Sequence, residues 1–287
     1  MTIEEFDYIL YHSPCYDGAA SGWIAQKWAD ENKVKVQILG YPYNTKECPS
    51  FVDGQHILFL DLTFEPKVME ELIRRAKKVT VIDHHKTANE SELIKSKTNF
   101  IFDLDRSGAQ LTWDYFFPGK KRPEIVDYIG DRDLWRFQLP ESKAVNAVIL
   151  ASNPSLVDIE ILYQHWNLDK FIRDGKELLR QQQMVLEELA KKFTRATLFF
   201  NQKMYNVLAG ECDGAFRSDL GDFLNSRYNI DFVVLYSETF NGRYSVSFRG
   251  KDKVDCSAIA KQFGGGGHFN AAACVVDSLN FLSFVRN

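Results

Sequence analysis

Val79-Thr80-Val81-Ile82-Asp83-His84-His85-Lys86 is the stretch on which the reading of this chain turns. Apolar and β-branched residues run straight into an acid, two imidazoles and a lysine. A short apolar run of this kind predicts a buried strand. The residues at its carboxyl end are the types that hold metal ions and phosphate. The same order recurs on either side of it. Phe6–Tyr11 leads into His12, and Ile57–Leu60 leads into Asp61; Val34–Leu39 predicts a further strand. Helical patterns over Gly18–Asp30, Pro66–Lys77 and Ala109–Phe117 alternate with these strands. Alternation of this sort predicts βαβ units and a parallel sheet. Ligands of such sheets gather beyond the carboxyl ends of the strands, which is where His12, Asp61 and Asp83-His84-His85 fall.

Further along, residues 123–133 read as helical and run into Asp131-Arg132-Asp133-Leu134-Trp135, with Pro140 closing the unit. Residues 169–195 are rich in Lys, Glu, Gln, Leu and Arg with an apolar repeat at helical spacing, which predicts one long connecting helix. Strand patterns then resume at Ala196–Phe200, Tyr205–Ala209, Phe232–Tyr236 and Tyr244–Phe248. The expected architecture is α/β in two parts. Residues 1–165 form a parallel-sheet domain, 166–195 a helical linker, and 196–287 a smaller α/β domain.

Composition narrows the function. Lys and Arg total 35 against 39 Asp and Glu, a net charge of −4. Proteins that coat duplex nucleic acid neutralise many phosphates with excess cations, so no stable duplex partner is expected. Small anionic substrates remain. The five cysteines are scattered with no Cys-x-x-Cys pair, which suits free thiols in a reducing compartment. Met1–Asp7 shows no apolar signal segment, and no apolar run is long enough to span a bilayer. A cytoplasmic protein without a membrane partner is expected, as a monomer or weak homodimer.

His12, Asp17, Asp61, Asp83, His84, His85, Asp131 and Asp133 are the candidate metal-site residues. Imidazole and carboxylate donors suit Mn, Fe, Zn or Co. Carboxylates converging on one crevice repel one another unless cations intervene, and two divalent ions sharing a carboxylate are a common solution in phosphoester chemistry. A lone Asp is as readily a turn or N-cap residue; recurrence at strand ends is what raises these above that reading.

The motifs resemble those of the DHH phosphoesterase superfamily. Asp83-His84-His85 is its name-giving motif, and His12-x-x-Cys15-x-Asp17-Gly18 resembles the first motif. Asp61 resembles the second and Asp131 the fourth. Gly264-Gly265-Gly266-Gly267-His268-x-x-Ala271-Ala272 resembles the signature of the DHH-associated C-terminal domain of nanoRNase- and RecJ-like members. The resemblance implies that His12 and Asp61 bind one ion. Asp17, Asp61, His84 and Asp131 would bind a second, with Asp61 bridging; Asp133 is the rival to Asp131. Asp83 would orient a ligating histidine from behind, and His85 would face substrate phosphate. Asp61, His84 and His85 are thus the expected catalytic residues. Manganese is the expected ion, with Mg2+, Co2+ or Zn2+ as alternatives.

Many family members have an Asp where this chain has Cys15. Cys15 is either a small buried filler or a ligand that favours softer ions. The glycine run follows a helix-like stretch and precedes small strand residues, so a phosphate cradle of backbone N–H groups with His268 is expected rather than a linker. Arg249 resembles a substrate-binding arginine of the second domain, with a surface salt bridge as the plain alternative. Ser107 either offers helix-terminal amides to phosphate or simply caps the helix. Trp135 is read as core before stacking platform.

The implied activity is divalent-metal-dependent hydrolysis of phosphodiester or 3′-phosphate bonds in short nucleotides or oligonucleotides, in a cleft between domains. The alternatives are a polyphosphate or pyrophosphate hydrolase and a weakly catalytic nucleotide-binding module.

Overall fold

The computed structural model describes residues 5–284, which fall into two compact units divided between Leu179 and Arg180. In the first unit β1 (Tyr8–His12), α1 (Tyr16–Asn32), β2 (Gln37–Tyr41), β3 (His56–Leu60), α2 (Pro66–Arg75) and β4 (Lys78–Asp83) follow in order. Then come α3 (Lys86–Asn89), α4 (Glu92–Lys97), β5 (Asn99–Phe102), α5 (Gly108–Phe116), α6 (Glu124–Asp133), α7 (Ser142–Leu150) and α8 (Leu156–Gln164). Helix α9 (Leu168–Ala190) contains the division between the units.

The five strands pair in the order β2-β1-β3-β4-β5, all parallel. Successive strand residues serve opposite faces, the period-two rule of a pleated sheet. Ile9, Leu58, Leu60 and Ile82 join one core with α1 and α5. Leu10, Ile57, Phe59, Val79 and Val81 join another with Val68, Met69 and Leu72 of α2. Burying each such side chain stabilises the fold by roughly 1.5–3 kcal/mol, so the alternation holds the register of the strands. That register aligns Tyr11 with Leu60 and Leu60 with Ile82. His12, Asp61 and Asp83 therefore stand level at the carboxyl ends of three neighbouring strands. The order of strands reverses between β1 and β3, the position at which open α/β sheets leave a crevice.

Two predicted strands shift, and helices α3, α4, α7 and α8 and strand β5 were not predicted. The strand expected over Val34–Leu39 begins at Gln37, because Lys33 turns left-handed to end α1 and Val34 N–H donates to Ala29 O, while Val34 and Val36 pack on the core beside α1. The strand expected over Phe6–Tyr11 runs from Tyr8 to His12, so His12 is part of it.

The second unit contains β6 (Thr194–Phe200), β7 (Lys203–Glu211), α10 (Arg217–Arg227), β8 (Phe232–Glu238), β9 (Tyr244–Gly250), α11 (Cys256–Gln262), β10 (Gly266–Gly267), β11 (Ala271–Val276) and β12 (Leu282–Phe284). The sheet order is β10-β11-β9-β8-β7-β6-β12, antiparallel except for β7 with β8. Phe232 and Val234 pack toward Ile259 and Ala260 of α11; Val233 and Leu235 pack toward Leu220 and Leu224 of α10. No helix among the described residues is long and apolar enough to cross a membrane.

Candidate metal centre

Three strand ends and two helices build the centre of the first unit. Asp61 follows β3 with φ 54°, a left-handed conformation that costs a non-glycine residue on the order of 1–3 kcal/mol. Its N–H is held by Ile82 O at 2.9 Å, and its side chain is buried, 2% exposed. Helix α5 starts against it: a Cβ added to Gly108 would lie 2.5 Å from Asp61 Cβ. Only glycine allows this approach.

Asp61 is the hub of the side chains. Its Oδ2 lies 3.4 Å from His12 Nδ1, and its Oδ1 lies 3.2 Å from His84 Nε2 and 3.7 Å from His85 Nδ1. His84 Nε2 also lies 3.3 Å from Asp133 Oδ2 and 3.9 Å from Asp17 Oδ2. Donor atoms fall into three overlapping trios, each within 4.8 Å: His12, Cys15 and Asp61; Asp61, His84 and His85; Asp17, His84 and Asp133.

The supporting contacts explain the motifs. Asp83 Oδ1 accepts His84 N–H at 2.7 Å and His85 N–H at 3.0 Å, and meets His85 Nδ1 at 2.7 Å. It fixes the turn that presents both histidines and orients the His85 ring. Asp17 accepts from Ser107 Oγ at 2.7 Å, Gly108 N–H at 2.6 Å and Ala109 N–H at 3.2 Å. The positive end of α5 thus supports a fully buried carboxylate.

This geometry departs from one expectation and decides another. Asp131, favoured as ligand, is turned away from the trios: its oxygens accept the N–H groups of Gln138 at 3.0 Å and Leu139 at 3.2 Å, closing the loop after α6. Asp133 lies with His84 instead. Residues two apart on a helix do not share a face, so only one of the pair can turn toward the centre. Ser107 is wholly buried and closes a capping box with Gln110; it meets Asp17 and is not open to a substrate.

The electrostatics show what the cluster lacks. Burial alone would lower His84, but Asp61, Asp133 and Asp17 outweigh it and push its pKa to about 9. Burial likewise opposes the His85 imidazolium, and Asp83, Asp61 and Asp133 carry its pKa to about 10. Asp17 is raised by burial and by Asp133 and Asp61; Asp133 is raised by burial and by Asp61, against the pull of His84. Asp61 is held below the usual carboxylate range, its burial overcome by His12, His84 and His85. Protons stand in for missing positive charge. His12 Nδ1, Asp61 Oδ1 and Asp83 Oδ2 are buried without a hydrogen-bond partner. Buried polar atoms of this kind call for a ligand or ion, and imidazole with carboxylate is a donor set for divalent metals. The residues fit a paired centre.

In the second unit two amides of the glycine run serve the end of α11. The N–H groups of Gly264 and Gly265 donate to Lys261 O and Ala260 O, capping α11, and His268 N–H donates to Ala271 O. Gly266 and Gly267 pair with Ala273 and Ala272 as strand β10. A Cβ on Gly265 would lie 2.0 Å from Ala273 O, so that glycine serves backbone approach rather than an anion. Arg249 Nη1 donates to Phe248 O and Ala272 O, while its Nε is buried and unpartnered. Burial lowers its pKa, and no acid pairs with it among the described residues. The salt-bridge alternative therefore has no partner. Arg217, which the sequence reading missed, is 8% exposed and bonds to Ser237, Ser245 and Ser247 hydroxyls rather than to a carboxylate. Serines alternating along β9 were the available signal. Trp135 is 40% exposed with φ 54°, against Phe137 and under Arg132, and so is not core.

Comparison with known proteins places this geometry. The model of the DHHA1 domain matches residues 184–286. Uncharacterized protein R106 of Acanthamoeba polyphaga mimivirus is 30% identical over 289 residues, covering 94% of this chain and 67% of that protein. Oligoribonuclease NrnB of Bacillus subtilis (strain 168) is 24% identical over 309 residues, covering 97% of this chain and 75% of that protein. The structure of RecJ in complex with Mn2+ from Thermus thermophilus shares the fold, with a TM-score of 0.54 and 13% identity over 96% of this chain and 50% of that one. The chain belongs to the DHH phosphoesterase superfamily.

Proposed function

We propose that this protein is a divalent-metal-dependent hydrolase of phosphodiester or 3′-phosphate bonds in short nucleotides. The observation that carries the reading is Asp61, a buried carboxylate at the head of β3 shared by two donor trios, with an oxygen that no hydrogen bond satisfies. His12 and Asp61 would hold one ion, and Asp17, Asp61, His84 and Asp133 the other. Paired divalent ions, when bound, supply positive charge for the phosphoryl oxygens and acidify water. Manganese is the proposed pair, in line with the ion named for the RecJ structure.

The chain's own residues do the rest. Asp83 meets His85 Nδ1 at 2.7 Å and orients the ring. Asp83 and Asp61 favour the charged form of His85 in the metal-free chain, and in that form it would donate to a phosphoryl oxygen and offset charge as it develops. The amides of α5 fix Asp17 and with it the trio of Asp17, His84 and Asp133. In the second unit we assign Arg249 to a substrate phosphate, since its charge has no acid to meet. Likeness to an oligoribonuclease favours short nucleotide chains over polyphosphate.

A panel of substrates with Mn2+ tests this: a linear dinucleotide, a cyclic dinucleotide, 3′-phosphoadenosine phosphate, single-stranded DNA and polyphosphate. Turnover of the linear dinucleotide or the 3′-phosphate, lost in Asp61→Ala and His84→Ala, is expected. Turnover of polyphosphate alone would replace the proposal with an anhydride hydrolase. Binding without hydrolysis under Mn2+, Mg2+, Co2+ and Zn2+ would make the protein a nucleotide-binding module.

A further inference from the structure

We infer that Cys15 is a ligand of the first ion, and that the two positions of the centre prefer different metals. The inference rests on the proposed two-ion centre and adds its selectivity. Cys15 Sγ, a His12 nitrogen and an Asp61 carboxylate oxygen lie within 4.8 Å of one another. The His12 side chain is 19% exposed and that of Asp61 1%, and His12 Nδ1 is buried without a hydrogen-bond partner. The trio therefore converges on a shielded spot with unmet coordinating capacity, and sulfur is its third corner.

The chemistry of the two positions differs. The first offers one sulfur, one nitrogen and one carboxylate oxygen. The trio of Asp17, His84 and Asp133 offers only nitrogen and oxygen. Thiolate selects Zn2+, Co2+ and other softer ions, whereas carboxylate-rich sites accept Mn2+ and Mg2+. Coordination breaks the S–H bond: the sulfur keeps the electron pair and donates it to the ion, and the proton leaves to solvent. A thiolate carries the same charge as a carboxylate, so the exchange of one for the other preserves charge and changes softness. A thiophilic ion beside Cys15 and a harder ion beside Asp17 is the arrangement these donors favour. Cys48, Cys212, Cys256 and Cys274 belong to no donor trio among the described residues, so a sulfur signal from this chain reports Cys15.

Cobalt titration of the full chain reads the coordination directly, apart from activity. A near-ultraviolet thiolate-to-cobalt charge-transfer band is expected to saturate at one equivalent, while visible ligand-field bands grow through a second. Zn2+ should bleach the charge-transfer band at far lower concentration than Mn2+, which fills the first position only when saturating. Cys15→Ser should abolish that band while keeping ligand-field absorbance from the second position, which also shows that the variant is folded. Cys15→Asp should keep two equivalents and shift competition at the first position from Zn2+ toward Mn2+. Cobalt bound at two equivalents without a charge-transfer band, or a band unchanged in Cys15→Ser, overturns the inference and leaves the two-ion reading standing. A chain that retains no cobalt overturns both.

Discussion

Asp133 and Asp131 show how a single side chain decides the chemistry. Asp133 lies 3.3 Å from His84 Nε2, whereas Asp131 ties two backbone N–H groups. Asp133→Asn should lower turnover by about 10²-fold or more, with the melting temperature nearly unchanged, because charge is lost at the centre and not from the fold. Asp131→Asn should do the reverse and cost about 0.5–1.5 kcal/mol of stability by weakening the loop that its carboxylate closes; urea denaturation checks it. The motif Asp-Arg-Asp was legible in the sequence, but the choice between its acids was not. That choice depends on how the last turn of α6 is rotated and on where the chain returns at Gln138 and Leu139. His12, Asp61, Asp83, His84 and His85 were legible because each stands at the end of an apolar run. Between the two readings left open for Ser107 the sequence could not choose, because its partner, Asp17, is ninety residues away.

At the scale of elements, glycines set how closely strands and helices meet. Gly108 lets α5 abut Asp61, and a Cβ there would lie 2.5 Å from Asp61 Cβ. Gly108→Ala is expected to push Asp61 off position, reducing metal affinity and turnover together; calorimetric titration with Mn2+ checks this. Gly265→Ala would collide with Ala273 O, whereas a Cβ on Gly266 meets nothing within 4 Å. Overpacking of this kind typically costs about 1–3 kcal/mol, so Gly265→Ala should melt earlier than Gly266→Ala by several degrees. The four glycines were easy to read as an anion cradle because glycine serves both purposes. What the sequence could not show is that Lys261 O and Ala260 O already claim two of the amides. Strand β5 escaped notice for a different reason: Asn99–Phe102 is only four residues long and largely half-buried, too short for a period to declare itself.

For the whole molecule the decisive property is a centre in which protons and divalent ions compete. His84 and His85 titrate near 9 and 10 in the folded, metal-free chain against 6.5 for the unfolded side chain. The stability they lend is complete below about pH 6.5 and is lost as pH rises through those values. Asp17, raised by burial and its acidic neighbours, acts with the same sign, since its neutral form favours the fold. The metal-free protein should therefore melt progressively earlier between about pH 7 and pH 10. Divalent ions take the place of these protons, so the stabilisation by saturating Mn2+ should be larger near about pH 8.5 than near about pH 6.5. Thermal melts with and without chelator check this, and a gain that shrinks with rising pH would contradict it. The restart of apolar patterns at Ala196 led to the expectation of a second α/β unit; the structure divides between Leu179 and Arg180, inside α9, and the antiparallel pairing of the second sheet was not legible. Electron paramagnetic resonance of the Mn2+-loaded chain tests the central claim most directly. Two ions sharing Asp61 should give an exchange-coupled spectrum that collapses in Asp61→Ala; isolated Mn2+ signals in the wild type, or no bound Mn2+, would contradict the account.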